Sequence, residues 1–201
     1  MNLIERNNYT ENWFRSDNDF NHLFPSPVQA LALRHWSPLV VARKASGFLA
    51  NEDNVRILDV GSGIGKFCLV AAYYNPNVSV YGIEQRKGLV NHAEAAKETL
   101  NLSNVFFIHG NFTQLDFRNY DHFYFYNSFY ENMNGSSKID NSIEYSTELY
   151  NYYNRYLCMQ LEQKPAGTRV ATFHCHENEV LQSYTLVDSE YENQLLFYIK
   201  K

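Results

Sequence analysis

Long hydrophobic runs are missing from this chain of 201 residues, and no segment approaches the roughly 20 consecutive apolar residues that a membrane-spanning helix needs. No membrane partner is expected. Met1 to Phe20 carry Asn, Asp and Glu where a secretion signal has a basic start and an apolar run, so the expected location is cytoplasmic. An excess of positive charge is missing too: 17 Lys and Arg against 22 Asp and Glu leave a formal net charge of −5. That balance argues against an extended nucleic-acid partner, which usually meets a positive face. Cysteine is scarce. Cys68, Cys158 and Cys175 are odd in number, far apart and set in apolar periodic segments, so neither a disulfide framework nor a zinc-binding CxxC pair is expected. In His174-Cys175-His176 the period-two alternation of a strand puts the two His on one face and Cys on the other, so no metal is expected. What is present is 45% hydrophobic residues in a chain long enough to bury one full core.

Glycine is also sparse, nine in all, yet three alternate in one place. The stretch from Val55 to Ala72 reads as a short buried strand, a turn containing Gly61, Ser62, Gly63, Ile64 and Gly65, and then a helix. Such a turn is expected to leave backbone N–H groups facing a ligand at the helix N-terminus. A dinucleotide fingerprint would need its third glycine at position 66, which is Lys66. Asp59, two residues before the first glycine, disfavours an anionic pyrophosphate and suits a ligand with an ammonium group. Asn75-Pro76 ends the helix, residues 78–83 read as the next strand, and Glu84 closes it. In a doubly wound fold the acid about twenty residues after the glycine turn accepts hydrogen bonds from ribose hydroxyls.

The rest of the chain continues the alternation of strand and helix. Upstream, Ser26-Pro27-Val28-Gln29 and Ser37-Pro38 read as helix starts, giving two short helices at about 27–35 and 38–50. Trp13, Phe14 and Phe20 in the polar N-terminal arm could lie over the core or over a ligand. A helix over 87–100 is followed by a strand over 104–109 ending in Gly110-Asn111-Phe112, and by an aromatic strand over 121–126. Residues 127–132 should then face the ligand crevice, and the polar loop 133–141 is the candidate lid. A long helix over 142–163, rich in tyrosine, reads as packing its rings on the sheet. A strand over 169–175 and a hairpin of 183–187 with 195–199 complete the chain. A His at the end of that strand could act on a substrate proton.

The alternate glycines after Asp59, together with Glu84, resemble the class I S-adenosylmethionine-dependent methyltransferases. The resemblance implies an α/β, Rossmann-like fold with a seven-stranded, mostly parallel sheet, a C-terminal antiparallel hairpin and helices on both faces. It implies S-adenosyl-L-methionine as cofactor, with Asp59, Gly61, Ser62, Gly63, Gly65, Glu84, Gln85, Asn111, Phe112 and Asn127 as contacts. Asn111 stands where the family usually has an acid that accepts a hydrogen bond from the adenine amino group. A helix before the first strand closes one side of the pocket in that family, yet Phe24 and Gln29 read better as a core aromatic and a capping side chain. Residues 1–54 are thus expected as an arm and helices covering the cofactor pocket, and 55–201 as the methyltransferase core of one structural domain.

Two narrower resemblances bear on the acceptor. Asn127 and Tyr130 match the ends of the Asn/Asp-Pro-Pro-aromatic segment of amino-group methyltransferases, with Ser128 and Phe129 in place of both prolines. Tyr81-Gly82-Ile83-Glu84 and Asn127-Ser128-Phe129 are similar to the disruptor-of-telomeric-silencing type of protein-lysine methyltransferases and their small prokaryotic relatives. Asn127, Tyr130 and Glu131 are therefore the candidate catalytic residues. The expected acceptor is an amine on a protein, with a small molecule, a non-catalytic cofactor sensor and a nicotinamide enzyme as alternatives.

Overall fold

The computed structural model describes residues 12–133, 135–175 and 182–201. Seven strands form one sheet in the order β3-β2-β1-β4-β5-β7-β6. β1 (Arg56–Val60), β2 (Ser79–Glu84), β3 (Val105–His109), β4 (His122–Tyr126) and β5 (Arg169–Phe173) pair in parallel. β7 (Leu195–Lys200) runs antiparallel to β5, and β6 (Tyr184–Glu190) pairs with β7 at the sheet edge. Their connection turns through three left-handed residues, Tyr191, Glu192 and Asn193.

The parallel strands are apolar on both sides because both faces are covered. Ile57, Tyr124 and Ala171 enter one core, whereas Leu58, Val60, Phe123, Phe125 and Val170 enter the other. The helices are α1 (Asp17–Asn21), α2 (Ser26–Gln29), α3 (Ala32–His35), α4 (Leu39–Leu49), α5 (Lys66–Tyr74), α6 (Lys87–Leu100) and α7 (Thr147–Glu162). α4, α5 and α6 cover the first face. α7 and the 3-10 turns at Phe112–Gln114 and Phe117–Asn119 cover the second. Chain order reverses direction across the sheet between β1 and β4, so the crevice for a ligand lies outside their carboxyl ends.

Three local expectations are corrected. The helix expected over 27–35 splits into α2 and α3, and Gln29 donates to the Phe24 carbonyl at 2.7 Å instead of closing a capping box. Ser37 does not cap α4; its hydroxyl pairs with that of Tyr124 at 2.7 Å, and Asp17 accepts from the Leu39 N–H at 2.9 Å. α7 begins at Thr147, capped by Ser146, because the Ser142 N–H and hydroxyl turn back to Asp140 at 2.9 and 2.6 Å. The described part of the arm lies over the core: Phe14 and Phe20 are buried and Phe14 stacks on Tyr73 at 4.2 Å. His176 lies outside the described residues, and His174 sits just past β5 with φ +55°.

Candidate active site

The glycine turn is where β1 meets the crevice. Gly61, Gly63 and Gly65 all have positive φ, of 77°, 57° and 75°. A Cβ on Gly61 would sit 2.4 Å from that of Ser128, and one on Gly63 would sit 2.6 Å from the Trp36 ring, so neighbours press on the turn from two sides. Four of its N–H groups bond within the chain, where the sequence led one to expect them to face a ligand. Gly61 and Ser62 donate to the Ile83 carbonyl at 3.0 and 2.9 Å, Gly65 donates to Ser62 at 2.8 Å, and Gly63 donates to the Glu84 carboxylate at 3.1 Å. The left-handed residues turn these donors toward the end of β2 and stitch the two strand ends together.

Glu84 is 6% exposed and its second oxygen accepts the Arg86 N–H at 2.8 Å. Each carboxylate oxygen keeps acceptor capacity for a further hydrogen bond. Burial raises the Glu84 pKa from its ordinary value, while the two N–H bonds and the Arg86 charge pull it back. Arg86 is the residue that sequence reasoning missed. Its guanidinium, 6% exposed, lies 3.6 Å from Glu84, forks onto both oxygens of Glu131 at 3.0 and 2.9 Å, and reaches Asp140 at 3.2 Å and the Tyr145 hydroxyl at 2.6 Å. Burial disfavours the cation, but Glu131 and Glu84 outweigh it.

Two connected spaces open over this floor. A cleft of about 570 Å³ is bounded by Gly61, Gly63, Trp36, Tyr126, Asn127, Tyr130 and His174, within the about 300–1,000 Å³ of small-molecule pockets. A narrower slot shares Gly61, Glu84, Arg86 and Glu131 with it and runs between Ile83, Gln85, Phe112 and Phe129. Gly61, Gly63, Glu84, Gln85, Phe112, Asn127, Tyr130 and Glu131, all candidates from the sequence, line one or both of these spaces.

Asp59, Ser62, Gly65 and Asn111 line neither space. Asp59 is buried beneath the turn and accepts from the Cys68 thiol at 3.4 Å, because strand alternation points it at α5. It is not placed to hold a ligand's ammonium group directly. Burial raises its pKa to about 7; the thiol bond opposes the rise and the Glu84 charge adds to it. The Asn111 carbonyl oxygen, expected to meet adenine, accepts instead from the Thr113 N–H and hydroxyl, both at 3.0 Å, and caps the 3-10 turn. Its amide donates to the Tyr153 hydroxyl at 2.8 Å.

The acceptor side is set by the end of β4. Asn127 has φ +37°, and the Ser128 hydroxyl donates to the Val60 carbonyl at 2.5 Å, which fastens this loop to the end of β1. Phe129 is buried and stacks on Phe112 at 5.0 Å, whereas Tyr130 is 46% exposed at the mouth. Glu131 accepts the Ile139 N–H as well as both Arg86 bonds, so its oxygens anchor the loop. Burial lowers the pKa of His35 and of His174, keeping both imidazoles neutral near pH 7. Among the described residues no group of three His, Cys, Asp or Glu side chains could hold a metal ion, and no helix is long and apolar enough to cross a membrane.

Comparison with known proteins agrees with this geometry. A family model described as a methyltransferase domain matches residues 51–190. tRNA (guanine-N(7)-)-methyltransferases of Microcystis aeruginosa and Synechococcus sp. are 44% and 43% identical over 54 residues, 27% of this chain. The chain matches only about a quarter of those relatives' length, 26% and 23%. An RNA methyltransferase from Salinibacter ruber in complex with S-adenosyl-L-homocysteine has a TM-score of 0.60 at 16% identity, covering 82% of this chain and 92% of its own. TrmN from Thermus thermophilus has a TM-score of 0.61 at 20% identity, covering 85% and 51%.

The residues fit S-adenosylmethionine. Glu84 has capacity left for a diol, and Ile83 and Phe112 line the slot beside it, where a flat ring would lie. With the family model spanning most of the chain and the sheet and glycine turn in place, this chain belongs to the methyltransferase-domain family and has the Rossmann-like fold of class I S-adenosylmethionine-dependent methyltransferases.

Proposed function

We propose that the chain delivers its methyl group to a neutral nitrogen on a flat acceptor, an RNA base in the first instance, held between the rings at the mouth of the cleft. The observation that carries this reading is the wall itself: Trp36, Tyr126 and Tyr130 surround the opening, with His35 and His174 beside them. Stacking of a base on an aromatic side chain is worth about 1–3 kcal/mol and needs little sequence information. The names of the relatives, tRNA methyltransferases, support the same reading. A protein amine remains a second reading, favoured by the Asn127-Ser128-Phe129 segment and by the chain's net charge of −5.

The bound cofactor supplies a methyl group already activated by its sulfonium. The chain's work is therefore positioning. Glu84 would accept the ribose hydroxyls through its remaining lone pairs, and Phe112, Ile83 and Gln85 would line the adenine slot. Asn127, at the junction of the cofactor floor and the mouth, would accept a hydrogen bond from the acceptor and orient its lone pair. The neutral His174 imidazole lies 5.7 Å from the Tyr126 ring, where it can take up a proton that an amine releases. Tyr130 would stack, and Glu131, held by Arg86, serves the loop and not the proton.

The test is transfer of radiolabelled methyl from S-adenosylmethionine onto separate RNA, protein and metabolite pools. Label in RNA that falls about tenfold in Tyr130→Ala, with affinity for S-adenosylhomocysteine kept, is the expected result. Label confined to protein would overturn the RNA assignment in favour of the amine.

A further inference from the structure

The roles set out above for methyl transfer leave the buried guanidinium of Arg86 without a part. Its partners come from two parts of the site. On one side is Glu84, the acid assigned above to the ribose. On the other are Glu131, Asp140 and Tyr145, the two ends of the segment that walls the cleft with Ser136, Ser137 and Ile139. Between Met133 and Ser146 the described residues form no helix or strand. Hydrogen bonds tie the segment to itself: the Ile139 N–H goes to Glu131, the Ser142 N–H to Asp140, and the Tyr145 hydroxyl to the Asp140 carbonyl at 2.6 Å. Lys138, an exposed residue, lies over the Tyr145 ring at 4.4 Å, so its position follows the same cluster.

We infer that Arg86 is a positioning residue that couples occupation of Glu84 by the cofactor ribose to closure of the 131–145 segment over the cleft. This rests on the assignment of Glu84 to the ribose. Three carboxylates compete for one cation. A ribose diol that donates to Glu84 neutralises part of its charge and frees more of the guanidinium for Glu131 and Asp140. The segment is then held more tightly against β2, and the ligand is enclosed. Linkage makes the coupling reciprocal: loosening the far end at Asp140 must weaken ligand binding by the factor with which the ligand tightens the segment. A fork of donors in one plane can span these partners, which a lysine ammonium cannot.

The experiment uses S-adenosylhomocysteine as the probe, with its Kd from calorimetry and trypsin cleavage after Lys138 followed with and without it. In the wild type the ligand should suppress that cleavage. Asp140→Asn should raise Kd at least about fivefold, and the ligand should no longer protect Lys138, while the melting temperature holds; Arg86→Lys should do the same to Kd and protection and also lower the melting temperature, because Arg86 is buried. Tyr145→Phe is the milder variant and should fall between. If Glu84→Ala weakens binding but Asp140→Asn keeps wild-type Kd and protection, Arg86 is a structural ion pair only and the coupling is wrong. If Glu84→Ala binds as the wild type does, the ribose assignment fails and the coupling falls with it.

Discussion

Asp59 is a carboxylate buried at 3% exposure under the most constrained turn of the chain, with a thiol as its polar contact. Burial raises its pKa from 3.8 to about 7 in the folded state, so the folded protein binds a proton that the unfolded chain gives up. A raised folded pKa contributes stability that is fully present below 3.8 and lost as pH rises through about 7. The full span is worth at most about 4 kcal/mol, since one pKa unit is about 1.4 kcal/mol. Asp59→Asn removes the titration but keeps the shape. The variant should therefore gain on the wild type as pH is raised from 5 to 8, by up to about 2.7 kcal/mol in urea denaturation, the two pKa units of the span that lie above pH 5. Parallel stability curves for the two proteins would contradict this. The sequence made Asp59 and the glycines legible because their spacing is rare; it misplaced the carboxylate because only strand alternation decides which side it faces. Arg86 was not legible at all. An Arg after a strand is ordinarily solvated, and its partners lie 45 and 54 residues further along.

Lys66 shows how an element is fixed by a side chain from elsewhere. It is the first residue of α5, is buried, and forms an ion pair with Asp17 at 2.5 Å. Asp17 also accepts from the first N–H of α4 at 2.9 Å. One carboxylate of the arm thus serves the start of one helix and a buried cation of another. Burial lowers the Lys66 pKa, and the bond to Asp17 opposes it. Asp17→Ala removes a cap, worth about 1 kcal/mol, and strands a buried ammonium, for a loss of about 3–5 kcal/mol in thermal or urea unfolding. Adding Lys66→Met should restore most of that loss, because an apolar side chain of similar length has no charge to satisfy. If the double variant is no more stable than Asp17→Ala, the pair is not what orders this junction. The strands and α6 were readable from periodicity, and α6 runs from Lys87 to Leu100 as its apolar spacing indicated. The start of α7 and the split between α2 and α3 were not. Each depends on a side chain, Asp140 or Gln29, choosing a tertiary or backbone partner over the local helix.

At the scale of the whole molecule, the order β3-β2-β1-β4-β5-β7-β6 puts every element of the site at one edge of the sheet, at the carboxyl ends of the parallel strands. The chain as a whole carries a formal net charge of −5. On the proposed reading an RNA acceptor is taken mainly by its base, with few contacts to its backbone. Arg34 in the wall of the cleft and Lys138 in the segment above it are cations of the site besides Arg86, which its carboxylate partners neutralise. Neutralising one or two phosphates of a single strand gives a slope of log affinity on log salt of roughly −0.7 to −1.4. Binding of an RNA substrate measured from low to physiological salt should show a slope no steeper than about −2, and Arg34→Ala should flatten it further. A slope of about −5 or beyond would require a cationic face that this charge distribution does not provide, and would place the acceptor site on an assembly larger than this chain. A shallow slope with affinity that collapses in Tyr130→Ala would tie recognition to the rings at the mouth, where a base is held by its flat face while Asn127 turns its nitrogen toward the methyl group.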